Sequence, residues 1–209
     1  MVRHPSSAPL LITETSALAE FCERLEGVPF ITIDTEFLRE KTYWPILCLI
    51  QIAGPEPDQV AAIDSLAPGI DLSPLFPLLK SPKTVKVFHA ARQDVEIFFR
   101  LTGSVPKPIV DTQVLAMVCG FGDAASYETL AAKLANTRLD KLARFTDWSR
   151  RPLSARQLDY ALSDVTHLRL IYEKLHAKAE KTERLDWIAE EMALLTDPAT
   201  YEFNPENAW

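Results

Sequence analysis

Two hydrophobic rhythms alternate along this chain. Short apolar runs rich in β-branched residues read as strands. They are Phe30 to Phe37, entered through Val28-Pro29; Ile46 to Ala53, almost wholly apolar and closed by Gly54-Pro55; Gln59 to Asp64; Thr84 to Phe88; and Pro108 to Asp111. Between and after them, apolar positions recur every three or four residues, the helical period. Thr13 to Leu25 places Leu18, Phe21, Cys22 and Leu25 on one side, with Gly27 just past its end. A short helix is expected around Leu75–Leu79 between prolines, and others from the Ala90 region through Arg100, from Asp111 to about Val118, over Ser126 to Leu134, from Ser154 onward, and over Glu183 to Leu195. Three strands in direct succession predict an antiparallel meander, and the later alternation of strand and helix makes the chain α/β with a mixed sheet.

Composition narrows this little. The 209 residues suffice for one core, and 47% hydrophobic with 24% charged is ordinary for a globular protein. Residues 1–11 read as a flexible lead-in, 12–197 as one domain and 198–209 as an arm. No apolar run approaches membrane length, and the first residues lack the apolar centre of a signal peptide. Cys22, Cys48 and Cys119 are scattered and odd in number, which suggests reduced thiols in a cytoplasmic protein. The formal charge of −7 argues against a passive nucleic-acid sleeve. It leaves room for an enzyme that grips phosphates through cations and a local basic patch.

The chemistry begins at Ile33-Asp34-Thr35-Glu36. Alternation along a strand puts Asp34 and Glu36 on one face, roughly 6–7 Å apart at about 3.3 Å rise per residue. Neighbouring carboxylates repel and raise each other's pKa, and a hard divalent cation relieves this; a wet loop after a strand would carry the same two acids. Asp94 stands where a strand hands over to a helix, the usual place for ligands in α/β sheets. Ser154 and Gln157 form a capping box, and Leu158, Ala161, Leu162, Val165, Leu168 and Leu175 make the apolar stripe behind it. Tyr160 and Asp164, four apart, share a face off that stripe, with His167 on the same side. Four acids converging from three elements would hold two divalent cations in the manner of phosphoryl-transfer enzymes.

Taken in order, Ile33-Asp34-Thr35-Glu36-Phe37 with Leu47-Cys48-Leu49-Ile50-Gln51, then His89-Ala90-Ala91-Arg92-Gln93-Asp94, then Arg151-Pro152-Leu153-Ser154 through Tyr160 and Asp164, resemble the three motifs of ribonuclease D. That is the tyrosine-type branch of the four-acid 3′–5′ exonucleases. Asp111-Thr112-Gln113, Leu139-Asp140-Lys141 and Thr146-Asp147-Trp148 extend the likeness. The resemblance implies a ribonuclease H-like fold with a central mixed five-stranded sheet flanked by helices. It implies two Mg²⁺ or Mn²⁺ ions held by Asp34, Glu36, Asp94 and Asp164, with Tyr160 orienting the attacking water, and removal of nucleotides as 5′-monophosphates from RNA 3′ ends, tRNA precursors among them. Complete ribonuclease D chains carry helical nucleic-acid-binding domains after the catalytic one, and no segment here matches them.

Around the third motif Arg138, Lys141, Arg144, Arg150, Arg151 and Arg156 face only Asp140 and Asp147. Lys141 and Arg151 are the expected phosphate contacts. Thr35, Gln93 and His89 are expected beside the substrate, His89 also bonding nearby backbone. Phe37 and Trp44 are placed to stack on terminal bases, with core packing the alternative for Phe37. Asp111 is expected to cap the following helix. The expected partner is a single-stranded RNA 3′ end met by a monomer, with no membrane involved. A DNA-directed exonuclease of the same fold and a catalytically weak RNA-binding module are the rivals. A dinucleotide-dependent oxidoreductase is disfavoured, since none of the 6 glycines builds a G-x-G-x-x-G after a strand.

Overall fold

A computed structural model describes residues 10–40, 42–139 and 146–202. Six strands form one sheet: β1 (Leu11–Ile12), β2 (Phe30–Leu38), β3 (Ile46–Ala53), β4 (Val60–Asp64), β5 (Val85–Phe88) and β6 (Ile109–Asp111), in the order β1-β4-β3-β2-β5-β6. β2, β3 and β4 are the antiparallel meander that the pattern predicts. β5 joins β2 in parallel and β6 joins β5 in parallel, so the sheet is mixed. The strand beyond the expected five is β1, which straddles the boundary expected between lead-in and domain. Two residues are too few to show a period of two, yet Leu11 and Ile12 pair in parallel with Ala62 and Ile63, and Ile12 is buried.

The helices are α1 (Thr15–Arg24), α2 (Phe76–Lys80), α3 (Arg92–Thr102), α4 (Thr112–Val118), α5 (Tyr127–Leu130), α6 (Ala155–Lys181) and α7 (Leu185–Thr196). They cover both faces. On one face Ile31, Ile33, Ile50 and Ile52 meet Leu18 and Phe21 of α1 and Val95 and Phe98 of α3. On the other, Leu49 and Ala62 meet Ala161 and Leu162 of α6. Farther along that face Val87 packs on Leu115 of α4 and on Leu168 and Ile171 of α6. The Thr32 hydroxyl donates to Val165 O at 2.8 Å, tying β2 to the middle of α6. None of the described helices is long and apolar enough to cross a membrane.

One charged residue inside this frame is structural. Lys86 on β5 is wholly buried, and its ammonium donates to Ser81 O (2.7 Å), Thr84 O (2.8 Å) and Lys107 O. Three carbonyls satisfy its three protons. The described start of the expected C-terminal arm is packed too: Pro198–Thr200 makes a 3₁₀ turn that buries Tyr201 against Phe99, with its hydroxyl donating to Leu195 O at 2.8 Å. Residues 1–9 and 203–209 of the two expected terminal segments lie outside the described residues.

Candidate active site

A cavity of about 540 Å³ opens between the end of β2, the start of α3, α5 and the first half of α6. Asp34 and Glu36 enter it from β2 and Asp164 from α6, and one oxygen of each lies within 4.8 Å of the others. The register of β2 on β3 shifts between Glu36 and Phe37. The bulge falls where β2 passes the cavity, and Glu36 and Phe37 on either side of it both line the wall. Asp94 lines the same cavity from the first turn of α3, outside the tight group of three. The arrangement is three acids together and a fourth beside them.

Asp94 is 7% exposed, and Thr35 Oγ1 donates to its Oδ1 at 2.5 Å. Burial, and then the charge of Asp34, pushes its carboxyl well above the usual range. Crowded acids in a half-closed cavity need positive charge, and a donor set made wholly of carboxylate oxygen is the chemistry that Mg²⁺ and Mn²⁺ take. The residues therefore fit such ions.

Local sequence explains where Asp94 sits. β5 ends at Phe88, and the chain turns through Ala90 in the left-handed region (φ 55°) before α3. Asp111 holds that turn from β6: its Oδ1 accepts Ala90 N–H and its Oδ2 accepts Ala91 N–H, both at 2.9 Å. The same Oδ1 accepts Gln113 N–H at 2.8 Å, so Asp111 is the cap of α4 that its position suggests. His89 Nδ1 lies 3.0 Å from Thr112 Oγ1, and that hydroxyl donates to Phe88 O at 3.1 Å. The expected backbone bond of His89 is thus a side-chain bond, and burial lowers its pKa, which favours the neutral ring.

On α6 both halves of the capping box form: Gln157 N–H donates to Ser154 Oγ at 3.2 Å and Ser154 N–H donates to Gln157 Oε1 at 3.0 Å. One turn on, Tyr160 lies over Asp164, hydrogen-bonded to it, with its ring tilted against Trp148 at 6.2 Å. Burial first, and the charges of Asp164, Glu36 and Asp34 after it, raise the Tyr160 phenol far above its ordinary value. It keeps its proton in this setting.

Thr35, Phe37, His89 and Gln93 line the cavity, as Asp34, Glu36, Asp94, Tyr160 and Asp164 do. Arg151, expected at a phosphate, does not line the cavity and is engaged inside the fold instead. Its Nε and Nη2 donate to Asp64 Oδ2 (2.7 Å) and Oδ1 (2.6 Å), and it also donates to the carbonyls of Cys48 (2.9 Å), Trp148 (2.7 Å) and Arg150 (2.9 Å). Asp64, buried at the end of β4, needs a counter-charge, and no local pattern links residues 87 apart. Trp44 also lies off the cavity wall, under the Arg100 guanidinium. Lys141 and Arg144 fall outside the described residues. His167 does not line the cavity, and its Nδ1 is buried without a hydrogen-bond partner among the described residues.

Tyr127 is a wall residue that sequence reasoning missed. Its phenol donates to the backbone carbonyl of Asp164, and its ring lies 5.3 Å from that of His89. It sits one residue after the Ser126 cap, where the sequence shows only a helix start.

Known proteins share this sequence and fold over most of the chain. A family model described as 3′-5′ exonuclease matches residues 9–180. Ribonuclease D of Granulibacter bethesdensis is 55% identical over 207 residues, 99% of this chain and 51% of that protein. The crystal structure of Escherichia coli RNase D, an exoribonuclease involved in structured RNA processing, superposes with a TM-score of 0.89 at 37% identity, over 97% of this chain and 53% of that one. Brucella melitensis NrnC with bound Mg²⁺ matches at a TM-score of 0.70 and 26% identity, over 81% of this chain and 82% of that one. The chain spans about half the length of the curated relatives it matches. With the family model covering most of the sequence and ribonuclease D more than half identical along it, the chain belongs to the 3′–5′ exonuclease family, in its ribonuclease D branch.

Proposed function

We propose that this chain is a ribonuclease D-like 3′–5′ exoribonuclease that trims single-stranded RNA 3′ ends, of tRNA precursors or other structured RNAs, releasing 5′-monophosphates. The observation that carries this is the meeting of Asp34, Glu36 and Asp164 within 4.8 Å, with Asp94 and Tyr160 on the same cavity. Those four acids would hold two divalent cations, Mg²⁺ or Mn²⁺; the Mg²⁺ bound to NrnC supports the metal class. When bound, such ions supply the positive charge that stabilises the attacking and departing oxygens of the phosphodiester.

The chain's own residues do the rest. Tyr160, protonated, donates its O–H to Asp164, and its oxygen lone pairs are left to accept from the attacking water and orient it; a phenol raised this far is a poor base. Asp164 fixes that phenol from the next turn. Phe37, Gln93 and the His89 ring line the space for the terminal nucleotide. We place it in the cytoplasm, working as a monomer; its three free cysteines fit a reducing compartment.

The test is digestion of 5′-labelled RNA with Mg²⁺, Mn²⁺ or chelator. The expected result is a metal-dependent ladder shortening from the 3′ end, abolished by Asp164→Asn and Asp94→Asn and slowed by Tyr160→Phe. Near-normal activity of Asp94→Asn would sink the assignment of the acids. The acids do not distinguish ribose from deoxyribose, since contacts to the 2′-OH do that, so the same oligonucleotide as DNA separates this reading from a DNA-directed enzyme.

A further inference from the structure

We infer that Tyr43, Trp44 and Arg100 form a stacking platform for a base upstream of the scissile end, outside the cavity. This rests on the nuclease reading and extends its substrate path. The Arg100 guanidinium carbon lies over the Trp44 ring, 3.3 Å from its centre. Tyr43 meets the same ring edge-on, at 4.6 Å and 87°, and is 50% exposed. Ile46 beside it is 43% exposed, and Arg100 is exposed as well.

The cluster has a fixed relation to the acids. Gln93 lines the cavity, and Glu96 and Arg100 follow it on the same face of α3. At 1.5 Å per residue, Arg100 stands about 10 Å from Gln93 along the helix axis. Glu96 is gripped by both terminal nitrogens of Arg39 (3.0 and 3.3 Å), which pins the end of the β2–β3 connection onto α3. With Glu96 answered by Arg39, Arg92 and Arg100 leave this corner cationic in a chain of net charge −7. Half-exposed aromatics beside an arginine are what single-stranded nucleic acid uses: bases stack on the rings, and the guanidinium takes the adjoining phosphate or the next base. Packing alone does not require a tyrosine ring half in water. The distance suits a base two or more nucleotides behind the terminal one.

The test compares Tyr43→Ala, Trp44→Ala and Arg100→Gln with wild type on a single-stranded dinucleotide and a hexanucleotide. The platform predicts a KM for the hexanucleotide raised about tenfold per lost ring, within the range for one base–aromatic stack, at unchanged kcat. Cleavage of the dinucleotide, too short to reach the platform, stays at the wild-type rate, and Trp44→Phe restores most of the hexanucleotide KM. Fluorescence anisotropy of the labelled hexanucleotide in chelator shows the same loss of affinity without turnover. Arg100→Gln lowers the salt slope by roughly 0.7, one single-strand phosphate. Equal losses on both substrates, or unaltered hexanucleotide affinity, would overturn the platform. Should Trp44→Ala fail to fold, the exposed Tyr43→Ala decides alone. Platform-dependent binding without any cleavage would instead remove the nuclease reading and leave the platform standing.

Discussion

The sharpest test of how this site is built is Arg151→Met. Asp64 is 4% exposed and is held by two guanidinium nitrogens at 2.6 and 2.7 Å. Removing the arginine strands a buried carboxylate, which costs roughly 3–5 kcal/mol in fully buried pairs. The Arg151 side chain retains 25% of its exposure, so the figure belongs at the lower end, about 3 kcal/mol. The Cys48 carbonyl on a central strand loses its donor as well, adding about 1 kcal/mol. Loss of about 4 kcal/mol from a domain of ordinary stability, about 5–15 kcal/mol, leaves it folded but marginal. The assay is urea unfolding followed by tryptophan fluorescence at neutral pH, with Asp64→Leu and the double variant completing a cycle. Arg151→Met with Asp64→Leu, which removes both charges, should recover much of the stability. Because the Trp148–Leu153 segment leads into the cap of α6, kcat should also fall, while the salt slope of RNA binding stays put. A destabilisation under about 1 kcal/mol together with a flattened salt slope would refute the argument and return Arg151 to the phosphates.

Three further outcomes are expected. Burial lowers Lys86 to about 8, below the ~10.4 of an exposed lysine; the unfolded chain then binds more protons between those values, so stability should rise with pH from about 8 to about 10 relative to Lys86→Met, and a flat difference in unfolding midpoints would contradict it. Asp111→Ala removes three N–H acceptor contacts from the turn before α3 and from the cap of α4, and should cost about 2–4 kcal/mol by urea unfolding, with loss of activity through a displaced Asp94. Tyr127→Phe leaves the Asp164 carbonyl short of a donor; about 1–3 kcal/mol of stability and a fall in kcat at near-constant KM are expected, and wild-type kinetics would free Tyr127 of any positioning role.

Much was legible locally. The strand ending in Asp34 and Glu36, the Asp111 cap, the Ser154–Gln157 box and the Tyr160–Asp164 pair each rest on a short-range rule of alternation, capping or helical spacing, and each element forms in the structure. The bulge at Glu36 was not legible, because it follows from how β2 and β3 register against one another. Nor was the two-residue strand at Leu11, whose only support is its pairing with β4.

The order of apolar and polar residues was enough to determine the meander, the α/β character and the acids that arrive at the ends of strands and on one helix face. Only the tertiary structure decided which charges serve the cavity and which serve the core. Arg151 and Arg100 look alike in sequence, but one is drawn to Asp64 from 87 residues away and the other lies on Trp44. A buried carboxylate attracts whichever cation the fold brings near it, and nearness in the fold is set by packing, which no local pattern encodes.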